Sequence, residues 1–346
     1  MKRPTQVDVA KLAGVSRATV SYVLNDVADS YVAITEETRQ RVLKAVEELG
    51  YQPDAMAQSL RSGSTNTIGL LIPDMHNPHY WQIAYGVEQE VRSKGFDVML
   101  MSASLNPDYE LHSVQTLARR RIDGLILLLT FFDHVQSEVD RLVQQRKPLV
   151  LIGTSANKID MARTSFKEGA VEAMKHLLQL GHRRIGLVYG IGGVDVAYPD
   201  QGNDRLVAYR QGLQSVGLIT DESLIQYCGT TLDEAYKAAT NLLERQEPPT
   251  AIIVINDMLA IGVMRAIYDH HLRIPEDVSI VSFDDIDVAA YVQPPLTTVH
   301  VDGEALGRAA SQLIFRRLEN PTLTPQEIFI SSQLVIRGTT GAASQP

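Results

Sequence analysis

The sequence predicts an α/β protein, in which doubly wound parallel sheets follow a small all-helical head. Continuous Val/Ile/Leu runs with little polar alternation recur from Asn66 onward, as strands buried on both faces require. Amphipathic stretches such as "YWQIAYGVEQEVRSKG" and "EGAVEAMKHLLQLG", each closed by a glycine, separate those runs. The first 50 residues carry helix-period patterns only.

In the head, Thr5 is placed to cap a first helix, and Asp8 three residues later completes a capping box. Val9, Ala10, Leu12 and Ala13 form its apolar side. Gly14 permits the positive φ of a tight turn, with Val15 beneath it. Ser16 then caps a second helix, whose apolar stripe is Val20, Val23 and Leu24, with Arg17, Ala18, Ser21 and Tyr22 directed away from it. A third helix begins at Thr35, with Glu36 and Glu37 at its positive end, buries Val42, Val46 and Leu49, and stops at Gly50. Helix, glycine turn, helix and supporting helix describe a helix-turn-helix DNA reader. A three-helix bundle without a ligand fits the same pattern. Ser16-Arg17-Ala18 at the front of the second helix favours DNA, because the first residues of a reading helix reach base edges and arginine suits guanine.

Charge is consistent with this reading. The chain carries a net −9, yet residues 1–25 hold Lys2, Arg3, Lys11 and Arg17 against Asp8 alone, a local +3. DNA binding needs a local positive face and not a basic whole. With 346 residues, 45% hydrophobic and 21% charged, the chain has the composition of a folded protein of two or three units. The single cysteine, Cys228, forms no internal disulfide, and no Cys/His cluster has metal-ligand spacing, so a reducing cytoplasm and no metal or other cofactor are expected. No signal-peptide pattern and no apolar run near ~18 residues appear, so no membrane partner is expected.

In the core, "TIGLLIP", "FDVMLMS", "DGLILLL" and "PLVLIG" predict four strands, and "RRIGLVYG", "LIQYC", "AIIVIN" and "VSIVSFDD" four more. The irregular stretch "GTSANKIDMARTS" divides them into two sheets of about four strands each. The expected domains are a DNA-binding head over 1–50, a short helix-capable linker over 51–65 and a two-lobed core over 66–340. Ligands of open α/β sheets sit beyond the carboxyl ends of the strands. Asn256, Asp257, Asp284 and Asp285 fall at such ends, and Arg205 opens a helix after one. Asp257 could equally cap its helix, and Asp285 reads as structural. Phe131, after "LILLLT", is a further cleft candidate. Enzyme signatures are missing: "GIGGVD" puts Asp195 where a dinucleotide fingerprint needs its third glycine, and neither a P-loop nor a G-x-S-x-G elbow occurs. No catalytic residue is expected.

"VDVAKLAGVSRATVSYVLND" and "TRQRVLKAVEELGYQPDAMAQSLRSGST" resemble the N-terminus of the LacI (lactose repressor)/GalR family of bacterial transcription regulators. "IGLLIPDMHNPHY", "GHRRIGLV", "RIPEDVSIVSFDD" and "LVIRGTT" resemble that family's effector-binding core, which is periplasmic-binding-protein-like, so the resemblance spans nearly the whole chain. It implies a cytoplasmic regulator, a repressor in effect, that binds a palindromic operator in double-stranded DNA as a homodimer and responds to a small molecule. A carbohydrate is the first expectation for that effector and a nucleobase or nucleoside the second. DNA contacts are implied at Thr5, Ser16, Arg17, Ala18, Thr19, Ser21, Tyr22 and Asn25, with Ala57 and Leu60 on a hinge helix that enters the minor groove. Effector contacts are implied at Arg205 and Asp284, facing His79 and Tyr80 where family members often carry aromatics; Phe131, Asn256 and Asp257 complete the candidate set. The chain departs from the family at Tyr22 (most often Arg), Asp54 (usually Asn), Thr164-Ser165 (often Asp-Asn) and Thr230 (an aromatic in some members). A transport-class sugar-binding protein would share the two-lobed core, but it would lack the DNA reader.

Overall fold

The computed structural model describes residues 4–24, 34–52, 63–153, 158–164, 166–190 and 204–344. Asn25, Asp54, Ala57, Leu60, Ser165 and the segment 191–203 lie outside the described residues, and so does most of the expected hinge. The chain divides into two compact units, residues 1–65 and 66–346.

The first unit holds α1 (Gln6–Ala13), α2 (Arg17–Leu24) and α3 (Glu36–Leu49). Local chemistry sets each boundary. The Thr5 hydroxyl accepts from the Asp8 amide while the Asp8 carboxylate accepts from the Thr5 amide at 2.8 Å, which closes the predicted capping box. Gly14 turns the chain at φ +66°, and Val15 N–H donates to the Ala10 carbonyl at 3.0 Å. Ser16 Oγ accepts from the Thr19 amide at 3.0 Å and so caps α2. Val9, Ala10, Ala13, Val20, Val23, Val42, Ala45 and Tyr51 form the core. Leu12 departs from expectation: it is 47% exposed, because Val9, Ala10 and Ala13 already form the face of α1 that meets the other helices. Val46 and Leu49 are half-buried, and the smaller Ala45 takes the buried position on α3.

The second unit begins with β1 (Thr67–Ile72), α4 (Pro78–Ser93), β2 (Asp97–Ser102), α5 (Pro107–Arg119), β3 (Gly124–Leu128), α6 (Phe132–Gln144), β4 (Leu149–Ile152) and β5 (Asp160–Thr164). It continues with α7 (Phe166–Gln179), β6 (Ile185–Gly190), α8 (Asp204–Ser215), β7 (Ile225–Cys228), α9 (Leu232–Leu243), β8 (Ala251–Val254), α10 (Asp257–Asp269), β9 (Ser279–Asp284) and β10 (Thr297–Val301). Last come α11 (Gly303–Glu319), β11 (Glu327–Ile330) and β12 (Ser332–Val335).

These strands form two six-stranded sheets of orders β11-β5-β4-β3-β1-β2 and β12-β10-β9-β8-β6-β7, parallel except where β12 meets β10. Six strands replace the expected four in each lobe. Of the runs without a continuous apolar signal, "DMART", "EIFI" and "SQLV" are short, mixed in polarity and partly exposed at or next to sheet edges, while "TTVHV" is buried but led by two threonines. Both orders repeat one plan, in which the first strand sits between the second and the third. The chain crosses between the lobes after β5, β10 and β11, and Asn77, shortly after β1, meets Asp284 at the end of β9 across the cleft between them. Apolar clusters cover both faces of the first sheet, one from α4 and α11 and the other from α5 and α6.

Glycine sets the closeness of α4 and α11. A Cβ on Gly307 would lie 2.2 Å from the Ile83 carbonyl oxygen, and one on Gly86 would lie 2.2 Å from that of Glu304. Gly307→Ala is therefore expected to force the helices apart and lower stability by about 1–3 kcal/mol. A urea midpoint that rises instead, as an ordinary helical Gly→Ala change would give, contradicts the interlocked packing.

Candidate DNA-reading surface and effector cleft

On α2, Arg17, Ala18, Ser21 and Tyr22 share one face and line a shallow concavity of about 270 Å³. Arg17, Ala18 and Tyr22 are exposed and Ser21 is half-buried, while Val20 and Val23 hold the opposite face in the core. Ser16 and Thr19 present hydroxyls at the start of the helix, 2.9 Å apart. Thr5 is exposed at the start of α1, its hydroxyl donating to Asp8 at 2.7 Å. One cation, one methyl, one phenol and several hydroxyls thus share one side of an eight-residue helix, a size and chemistry suited to the major groove.

In the core, α4 begins at Asn77, the residue before Pro78, whose Oδ1 accepts from the His79 amide at 3.0 Å. Pro78 suits that first position because it lacks an N–H to leave unpaired. His79 is buried, and its Nδ1 has no hydrogen-bond partner among the described residues. Its ring lies 6.0 Å from that of Tyr80. Burial pushes the Tyr80 phenol above its ordinary range. The Asp284 carboxylate adds to this, Arg205 opposes it, and Asp74 and Glu110 contribute less. Tyr80 therefore stays a neutral hydroxyl among charged groups of both lobes.

From the second lobe, Arg205 lies with its guanidinium carbon 3.8 Å from the ring centre of Phe166 and 5.1 Å from that of Phe283. The two rings are packed edge to face, so the Arg205 guanidinium sits against an aromatic pair that restricts where it can lie. Asp284 and Asp285 end β9 with φ of +104° and +57°. Asp285 is braced by Arg337 at 2.6 Å and His300 at 3.1 Å, the structural part the sequence suggested. Asp284 is held across the cleft by Asn77, whose Nδ2 donates to Oδ2 at 3.1 Å.

Asn256 and Asp257, expected at the cleft, both make hydrogen bonds within their own lobe. Asn256 caps α10, its Oδ1 accepting from the Leu259 amide at 2.8 Å. Asp257 is fully buried and receives hydrogen bonds from Ser282 Oγ, from Thr298 Oγ1 at 2.7 Å and from the Ile286 amide at 2.8 Å. Those three donors consume the carboxylate and tie α10 to β9 and β10. Burial, then the nearby Asp284 charge, raise its pKa to about 7 against these three bonds. Phe131 is buried too, in a turn held by Glu110, whose two oxygens accept the amides of Thr130 and Phe131 at 2.9 Å each. Asn77, Phe166, Phe283 and Glu110 were missed. Asn77 stood in plain view as an Asn-Pro helix start; the others carry no local signature, because strand order brings them to the site.

A helix-turn-helix head with an exposed polar reading face, in one chain with a two-lobed core and a polar cleft, defines a ligand-responsive DNA-binding regulator. Residues 5–54 match the model of bacterial regulatory proteins of the lacI family, and residues 174–340 match a periplasmic binding protein-like domain. The HTH-type transcriptional repressor PurR of Haemophilus influenzae (strain PittEE) is 31% identical over 336 residues, covering 95% of this chain and 96% of the relative. PurR of Vibrio atlanticus (strain LGP32) is 30% identical, covering 96% and 97%. Among solved structures, the lac repressor dimer bound to operator and the anti-inducer ONPF aligns with TM-score 0.84 at 26% identity, covering 99% of this chain and all of that one. The CelR–cellobiose complex aligns with TM-score 0.69 at 29% identity, covering 97% of this chain and all of that one. This chain belongs to the LacI family of bacterial regulatory proteins, with a DNA-binding head and an effector-binding core.

Proposed function

We propose that this chain is a cytoplasmic repressor that binds a palindromic operator as a homodimer and is switched by a small carbohydrate in the cleft. The head over 1–50 reads DNA, the segment 51–65 with Ala57 and Leu60 serves as the hinge, and the core over 66–340 senses the effector. Each α2 enters a major groove, where Arg17, Ala18 and Tyr22 meet base edges and the hydroxyls of Ser16, Thr19 and Ser21 meet the backbone. What supports the switching is that the charges of the stacked Arg205 and of Asp284 both act on Tyr80 in the cleft. A guanidinium edge and a carboxylate together grip vicinal hydroxyls, accepting from one and donating to another. A ligand that prefers one lobe arrangement shifts the population of arrangements, and with it the spacing of the two hinges.

A nucleobase is the second reading, favoured by the His79–Tyr80 aromatic pair and a His79 Nδ1 with no partner among the described residues, and in keeping with the PurR relatives. Thermal melting with ribose, cellobiose, hypoxanthine and guanine separates the two. A sugar raises Tm in the wild type and not in Arg205→Ala, while both proteins hold the same operator with equal affinity. A shift with purines alone selects the second reading. An unaltered sugar response in Arg205→Ala removes Arg205 from the site.

A further inference from the structure

The amide of Asn77 uses both ends. Oδ1 accepts from the His79 amide and caps α4 in the first lobe, while Nδ2 donates to Asp284 Oδ2 in the second lobe at 3.1 Å. The cap demands an acceptor, so the amide has one orientation, and its N–H must face Asp284. Asp284 is only 3% exposed and sits at φ +104°, a conformation an L-residue keeps only when its surroundings impose it. Among the described residues no hydrogen bond reaches its other oxygen, Oδ1.

We propose that Asn77 is the positioning residue of the cleft: it latches the first lobe to the second through Asp284 and presents Asp284 Oδ1 to the effector. This rests on the cleft being the effector site, and it adds how closure is set there. The latch joins a rigid helix start to the end of a central strand, so it converts a side-chain contact into a lobe position. An effector that donates to Oδ1 adds to the same network and favours the closed arrangement. A donor lost at position 77 opens the cleft before any effector is added.

The test uses the full-length chain, labelled for energy transfer at Tyr109→Cys in the first lobe and Ile219→Cys in the second, in a Cys228→Ser background. Both labelled positions are exposed, and labelled chains are diluted into unlabelled protein so that a dimer holds one labelled copy. Asn77→Asp keeps the acceptor that caps α4, removes the donor and sets a carboxylate against Asp284. It is expected to shift the closed-to-open ratio about tenfold or more toward open, since hydrogen bonds to charged groups are the stronger kind. Asn77→Ser, which retains a cap but cannot span the cleft, shifts it in the same direction. Asn77→Asp/Asp284→Asn exchanges donor and acceptor with the same charge, and asparagine tolerates left-handed φ, so this pair is expected to restore the wild-type distance. Unchanged distances in Asn77→Asp overturn the latch, and so does a double variant that stays as open as Asn77→Asp. Circular dichroism melts of each variant establish that it is folded. Closure is read here without effector, so it stands or falls separately from the sugar and purine melting test.

Discussion

Arg17→Ala is expected to cost the protein about 10- to 100-fold of its preference for operator over unrelated duplex DNA, while binding to unrelated duplex changes little. Arg17 opens α2 and is exposed on the face it shares with Ala18, Ser21 and Tyr22. A guanidinium bidentate to guanine contributes about 1–3 kcal/mol of base discrimination, which sets the expected range. Titration of operator and shuffled duplexes over a salt series checks this. Equal weakening on both, with a shallower salt slope, assigns Arg17 to phosphate and moves base reading to Tyr22 and its neighbours.

The second large effect lies in the core. Asp257→Ala strands two hydroxyls and one amide in a site with no water access, and is expected to lower stability by about 2–4 kcal/mol. Asp257→Asn keeps the shape, and the hydroxyls can turn to accept, so its cost is smaller. The pair also separates in pH. The folded-state pKa of Asp257, raised to about 7, lies above the ordinary carboxylate value of 3.8. The folded protein therefore binds this proton more tightly than the unfolded chain does. That stabilisation is complete below about pH 4 and is lost as pH rises through 7, with an upper limit on the order of 4 kcal/mol. Urea unfolding between pH 4 and 8 should show a downward slope in the wild type that is shallower in Asp257→Asn. Parallel slopes would mean that the three hydrogen bonds keep Asp257 ionised throughout.

These two residues show what a sequence can and cannot convey. The head was legible almost residue by residue, because capping boxes, glycine turns and helical stripes are local: Thr5, Gly14, Ser16 and Gly50 act on neighbours within four positions. The core strands with continuous apolar runs were legible for the same reason. The short strands at or beside the sheet edges were not, since "DMART" and "SQLV" are held only by the strands next to them. The cleft was half legible. Arg205 and Asp284 followed from their position at strand ends and from family resemblance. Asp257 occupies an equivalent position, yet its side chain turns inward to Ser282 and Thr298, a choice made by residues 25 and 41 positions away. Phe166 and Phe283 lie far apart in sequence, and only the sheet order brings them to Arg205.

Every later step depends on the head reading an address in DNA. Capture of fragmented genomic DNA by the purified protein, followed by sequencing of the retained fragments, tests it most directly. A shared palindrome is expected, its half-sites spaced about one helical turn apart, as two symmetric reading helices require. Retention without a common sequence, both alone and with the sugars and purines added, would contradict it.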